Sequence, residues 1–123
     1  RQDWIQGRRM EQPKVVIYAR FTTDVDKSQQ NSVKNKINSF VRMLDAKVME
    51  QSWEIVQKEA SSKKFNTLFD DCIKNGWGIL TYDLKTLHEH RSGALSIVEE
   101  GAEMGVPIFF VDSESAFISI FSI

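Results

Sequence analysis

Four short apolar segments alternate with three amphipathic ones along the chain, and this order constrains the fold more than any other feature. The apolar segments predict β-strands at residues 15–19, 53–57, 77–82 and 106–111. The amphipathic segments predict helices at residues 32 to about 48, 65–74 and 92–104. Strands that alternate with helices form a mostly parallel sheet with helices on both faces, joined by right-handed crossovers. The sequence therefore predicts an α/β domain with a four-stranded sheet.

The spacing of apolar residues and the glycine positions support these helices. In the first helix the apolar residues recur at steps of three and four, at Val33, Ile37, Phe40, Val41, Leu44 and Val48. The pair Asn75-Gly76 closes the second helix, and Gly105 directly follows the third. Glycine often ends a helix because it adopts the left-handed conformation without strain.

Length and charge limit the organisation of the chain. Its 123 residues suit one core, so we expect residues 1–13 to form an N-terminal arm and residues 14–123 a single α/β domain. The formal net charge is −1. Domains that hold DNA by neutralising its phosphates are usually basic, so the composition gives no support to strong DNA binding by this domain alone.

The single cysteine bears on the compartment. Cys72 has no second cysteine with which to form an internal disulfide, and a lone thiol suits a reducing environment. Its apolar neighbours predict a buried structural thiol. No apolar run has the length of a membrane span. We therefore expect a cytoplasmic protein with no membrane partner.

The first strand leads into Tyr-Ala-Arg-Phe-Thr-Thr at residues 18–23. This segment resembles the opening strand of the serine recombinases, the resolvase and invertase family, whose pattern is roughly Tyr-Ala-Arg-Val-Ser-Thr. Residues 53–59 are similar to that family's second strand, and residues 104–112 to its closing helix-to-strand step. The resemblance covers residues 14–112. It implies a flavodoxin-like three-layer sandwich of the resolvase type, with a four-stranded sheet in the order 2-1-3-4.

The resemblance also implies a chemistry. In that family a serine hydroxyl attacks a DNA phosphodiester, and arginines surround the phosphate because charge builds on its oxygens. Arg20 stands at the position of the first arginine, and Thr22 stands at that of the nucleophile. The extra methyl of threonine restricts its side chain and crowds an in-line approach. We interpret Arg20 and Thr22 as inherited catalytic positions whose activity is lost.

Other positions depart further from the family pattern. Lys36 falls where the family has a glutamine, and Phe65 falls where it has an arginine. Thr86 and Glu89 replace two more arginines. Loss of one preorganised contact to a transition-state charge costs about 10²–10³ in rate, which indicates a pseudoenzyme. The remaining cations form the predicted phosphate-binding set: Arg20, Lys36, Lys63, Lys64 and Lys85.

The apolar C-terminal residues 117–123 predict an extra strand or the first turns of a helix. An exposed apolar segment is typical of a partner surface, and its predicted interface residues are Phe117, Ile118, Ile120 and Phe121. The resemblance implies a long dimerisation helix and a DNA-binding module after the last strand. We therefore expect that the domain is truncated at its C-terminus.

Three hypotheses follow for function. The first is a non-catalytic interaction or regulatory module that pairs with itself or with a recombinase-like protein. The second is an active fragment of a site-specific DNA recombinase that uses Thr22 as nucleophile. The third is a nucleic-acid-binding module that does not cleave.

A different hypothesis sets the family aside and considers a receiver-like domain. Asp24, Asp83 and Asp112 follow predicted strands and could surround a divalent ion, but Arg20 would weaken such a site. His88 and His90 flank Glu89 with no evident third ligand. We expect neither a metal nor a cofactor.

Overall fold

Strands and helices alternate along the described residues, which are 12–57 and 63–120 of this computed structural model. The elements are β1 (Lys14–Thr22), α1 (Lys27–Leu44), β2 (Lys47–Val56), α2 (Lys63–Asn75), β3 (Gly78–Thr81), α3 (Leu84–Leu87), α4 (Arg91–Met104), β4 (Ile108–Phe110) and α5 (Ser113–Ile120). Most of the predicted N-terminal arm, and Phe121 of the predicted interface, lie outside the described residues.

The four strands form one parallel sheet in the order β2-β1-β3-β4. This arrangement confirms the predicted order. Strand β1 is central, and its residues from Val15 to Phe21 are buried. Burial on both faces of a parallel strand explains its continuous apolar run, because neither face meets water.

Two core layers lie on the two faces of the sheet. One layer packs Val15, Ile17 and Leu80 against Ile37 of α1. The other layer receives the opposite face of β1 and apolar residues of α2, α3 and α4, which are Phe65, Leu68, Phe69, Cys72, Leu84, Leu87, Ala94 and Val98. Helices thus cover both faces, as the alternating order predicts. None of the described helices is long and apolar enough to cross a bilayer.

The chain leaves β1 and β3 in opposite directions across the sheet. From β1 it passes through α1 to β2 on one side, and from β3 it passes through α3 and α4 to β4 on the other. The loops that follow β1 and β3 therefore diverge and leave a crevice at the carboxyl ends of these strands. Such switch points are where open α/β sheets bind ligands.

The first helix ends earlier than predicted. It stops at Leu44, because Asp45 adopts the left-handed conformation with φ 53° and donates its backbone N–H to carbonyls of the last turn. Aspartate tolerates this conformation better than most residues. Lys47 and Val48 then begin β2, so the prediction of helix to about residue 48 was wrong. An apolar Val48 fits the helical period and the buried side of a strand equally well.

The C-terminal half contains two helices that the apolar pattern did not define, α3 and α5. Helix α3 has only four residues and was not predicted, since so short a segment has no periodicity. Helix α5 decides between the two predicted forms of the C-terminal segment in favour of a helix. Gly105 ends α4 with φ 77°, as the sequence predicts.

Cys72 provides a direct test of the core beneath α2. Its side chain is fully buried, and burial raises the pKa of the thiol to about 12, with a further contribution from the charges of Glu50 and Asp71. Because the folded pKa is raised, the associated stability is complete below the ordinary thiol pKa of about 8.5 and is lost as pH rises towards 12. We predict that iodoacetamide at pH 8 leaves the folded chain unlabelled and labels it in guanidinium. Rapid stoichiometric labelling of the folded chain would contradict this burial.

Candidate functional site

The crevice at the carboxyl ends of β1 and β3 is a cavity of about 850 Å³. Its volume is in the range of small-molecule and cofactor sites. The start of α1 and the segment of α3 close its sides. The described residues that line it are Arg20, Phe21, Thr22, Thr23, Asp24, Val25, Gln29, Ser32, Val33, Asp83, Lys85, Thr86 and Glu89.

Thr22 is the last residue of β1 and is half-buried at the mouth of the crevice. Its hydroxyl donates a hydrogen bond to a carboxylate oxygen of Asp24 in the loop that follows. This contact directs the proton of the hydroxyl towards an acceptor. It also places a negative charge beside the one hydroxyl that the sequence identifies as a nucleophile position, which repels an approaching phosphate.

Arg20 lies two residues earlier on the same face of β1, and its side chain is only 5% exposed. Its Nη2 is 3.9 Å from Oε1 of Glu89. That distance is an ion pair and is too long for a hydrogen bond. Glu89 lies in the loop between α3 and α4, so the ion pair connects the central strand to this loop. Nothing in the sequence near Arg20 or Glu89 predicted this pairing.

A second buried carboxylate stands beside Arg20 in the sheet. Glu54 of β2 is the register partner of Arg20, and it accepts a hydrogen bond of 2.5 Å from the hydroxyl of Tyr18. Tyr18 is fully buried, and its ring meets that of Phe65 edge to face at 4.9 Å. Burial of a charged group requires such partners. Tyr18 therefore belongs to the core and to the polar network next to the crevice.

Asp83 and Thr86 have structural roles at the start of α3. The Asp83 carboxylate accepts from the backbone N–H of Thr86 at 2.9 Å, and the Thr86 hydroxyl accepts from that of Asp83 at 2.9 Å. This reciprocal pair is a capping box. The Thr86 hydroxyl also lies 3.0 Å from that of Thr81 at the end of β3. Thr86 thus fixes the loop that forms one wall of the crevice. The resemblance to the serine recombinases implies an arginine at this position.

The structure brings together only part of the predicted phosphate-binding set. Arg20 and Lys85 line the crevice with Thr22. Lys36 projects from α1 over the ring of Tyr82, with its Nζ 5.5 Å from the ring centroid. Lys63 and Lys64 line a separate hollow between α2 and β2, together with Glu50 and Asp71. The lysines of α1 and α2 therefore lie outside the crevice lining.

The three aspartates that the receiver-like hypothesis places around a divalent ion each accept a hydrogen bond from a different group. Asp24 binds Thr22, Asp83 caps α3, and Asp112 accepts from the backbone N–H of Ser115 at the start of α5. His88 accepts a hydrogen bond at Nδ1 from the backbone N–H of His90. Within residues 12–57 and 63–120, no three histidine, cysteine, aspartate or glutamate side chains converge in a way that could hold a metal ion.

Negative groups outnumber positive ones in the crevice. Its described lining holds two cations, Arg20 and Lys85, and three carboxylates, Asp24, Asp83 and Glu89. The formal charge of this set is therefore −1. A lining of this kind disfavours a dianionic or polyanionic ligand, because each uncompensated carboxylate repels it.

The Tyr18–Glu54 contact generates a prediction on stability. Tyr18→Phe removes the hydroxyl that donates to a buried carboxylate, and we expect it to lower the free energy of unfolding by about 1–3 kcal/mol. Tyr82→Phe is the matched control, because the structure gives the Tyr82 hydroxyl no hydrogen-bond partner among the described residues. Urea unfolding followed by circular dichroism measures both. Equal stabilities of the two variants would contradict a role for the Tyr18 hydroxyl.

No protein-family model matches the sequence, and no curated protein matches it either. Solved structures do match. The C-terminal catalytic domain of ISC1926 TnpA, an IS607-like serine recombinase, superposes with a TM-score of 0.67 and 23% identity, over 88% of this chain and 76% of that domain.

Two further structures agree with this match. The N-terminal catalytic domain of TP901-1 integrase superposes with a TM-score of 0.67 and 15% identity, over 89% of this chain and 90% of that one. A resolvase family site-specific recombinase from Streptococcus pneumoniae gives a TM-score of 0.68 and 18% identity, over 90% and 83% of the two chains. Together with the sheet order, these matches show that the chain has the resolvase-like fold of serine recombinase catalytic domains.

Proposed function

We propose that this chain is a serine-recombinase-like domain that does not cleave DNA and acts as a protein-interaction or regulatory module. The observation that supports the loss of cleavage is the charge of the crevice, where three carboxylates face two cations. Phosphoryl transfer needs the opposite balance, because the transferring group gains negative charge on its oxygens that cations must stabilise.

The state of the inherited hydroxyl supports the same proposal. The Thr22 hydroxyl points at the carboxylate of Asp24. An aspartate can act as a general base in principle. It also adds a negative charge at the point where a phosphodiester must arrive, and the described crevice offers only Arg20 and Lys85 to offset that charge. Lysine supplies charge without the fork geometry that binds two phosphate oxygens at once.

The exposed side of α5 supports the interaction half of the proposal. Phe117 is 63% exposed and Ile120 is 67% exposed on this last described helix. An apolar hollow of about 370 Å³ opens beside Ile120, between α4, α5 and the start of β4. Exposed apolar side chains next to such a hollow are typical of contact surfaces between proteins. We propose that a second copy or a recombinase-like protein binds here.

Covalent capture tests the proposed loss of cleavage. We predict that neither a supercoiled plasmid nor a pool of random duplexes yields a protein–DNA adduct with the native chain. Thr22→Ser removes the crowding methyl and should also give no adduct, because the charge of the crevice is unchanged. Denaturing gels of labelled DNA measure the product. An adduct that forms with the native chain and disappears in Thr22→Ala would establish an active recombinase and contradict the proposal.

The same DNA samples separate the third hypothesis from the first. A mobility shift that falls with salt and weakens in Arg20→Ala and Lys36→Ala would identify a nucleic-acid-binding module. The proposal instead predicts that the DNA is not shifted at physiological salt by the native chain or by either variant.

Light scattering tests the contact surface on α5. We predict that the native chain shows a mass that rises with concentration, and that Phe117→Ser and Ile120→Ser weaken this association by about tenfold each, as loss of a buried apolar anchor does. Ile55→Ser is the matched control, because Ile55 is 61% exposed on the edge strand β2. If the native chain is monomeric at all concentrations, self-association is excluded. The proposed contact surface then requires that the native chain binds an active recombinase and that Phe117→Ser and Ile120→Ser weaken this binding.

A further inference from the structure

The carboxylate of Glu89 lies where an incoming anion would meet Arg20. The two side chains are only 9% and 5% exposed, and their charged atoms approach to 3.9 Å. Water therefore screens this pair less than it screens an ion pair on the surface. Glu89 also lines the crevice, so its charge faces the space that a ligand of Arg20 would enter.

The chain on both sides of Glu89 is anchored to the rest of the domain. Leu87, two residues before it, is buried in the core beneath β1. On the other side, the backbone N–H of His90 donates to Nδ1 of His88 at 3.0 Å. The His88 ring rests on α4 so closely that a Cβ added at Gly93 would lie 2.4 Å from it. Glu89 is therefore part of an anchored loop.

We propose that Glu89 is a built-in anion that occupies the Arg20 guanidinium and excludes phosphate groups from the crevice. Carboxylate and phosphate oxygens bind a guanidinium in the same way, so the internal group competes directly with any phosphate that enters. Glu89 is thus a specificity-determining residue against phosphate and phosphate esters. The inference rests on the proposed function, since a crevice closed to phosphate is a crevice that does not cleave DNA.

Titration with inorganic phosphate tests the proposal. Chemical shifts of the ¹⁵N-labelled chain are followed at constant ionic strength, with sodium chloride replaced stepwise by sodium phosphate. The native chain and Glu103→Gln, a control on the exposed side of α4, should show no shifts at Thr22 or Lys85. Glu89→Gln keeps the shape of the side chain without its charge, and it should bind phosphate at least about tenfold more tightly than the native chain.

A double variant identifies the group that Glu89 occupies. Adding Arg20→Gln to Glu89→Gln should abolish the gain in phosphate affinity. Equal affinity of the native chain and Glu89→Gln overturns the proposal, and so does a gain that survives without Arg20. If Glu89→Gln fails to fold, the native chain alone decides: phosphate-dependent shifts at Thr22 and Lys85 refute the proposal, and their absence supports it.

The proposed function can fail separately from this inference. A DNA adduct on Thr22 of the native chain refutes the proposed function. Phosphate binding in the native crevice without any adduct refutes only the role of Glu89 and leaves the loss of cleavage intact.

Discussion

Burial of β1 on both of its faces determines where every group of the crevice lies. The strand lies between β2 and β3, and its residues Val15 to Phe21 pack into two core layers. Alternation along the strand then places Arg20 on the same face as Tyr18, at the point where the sheet opens. A guanidinium in that position must be compensated, because an isolated buried charge is strongly unfavourable. Much of the chemistry of this edge follows from that requirement.

The chain meets the requirement with its own carboxylates. Glu89 reaches Arg20 from the loop after α3, and Glu54 stands beside it on β2 with the Tyr18 hydroxyl as donor. A catalytic phosphate site would leave the guanidinium available to its substrate. In this molecule the frame around the switch point is that of serine recombinase catalytic domains, whereas the charges within it favour internal pairing. The same fold can thus hold a reactive site or a closed one, depending on a few side chains.

Sequence reasoning predicted the layers of this fold well and the contacts of the site poorly. Apolar periodicity reports burial, so it predicted the strands and the long helices, whereas the order of the sheet came from the resemblance to the serine recombinases. It could not place the end of α1, because Asp45 there takes a conformation that glycine usually adopts. The capping box at Asp83 and Thr86 was not predicted, because a four-residue helix gives no period that would indicate a helix start there. The approach of Glu89 to Arg20 joins distant parts of the chain, and nothing in the local sequence encodes it.

We propose that the carboxylates of the chain itself neutralise Arg20, so that it does not bind an external phosphate. A high-resolution crystal structure from crystals grown in concentrated ammonium sulfate would test this directly, since sulfate resembles a phosphate group. We predict that the Arg20–Glu89 pair stays intact and that the crevice contains no sulfate. A sulfate bridging Arg20 and Lys85, with the Glu89 carboxylate displaced, would contradict it.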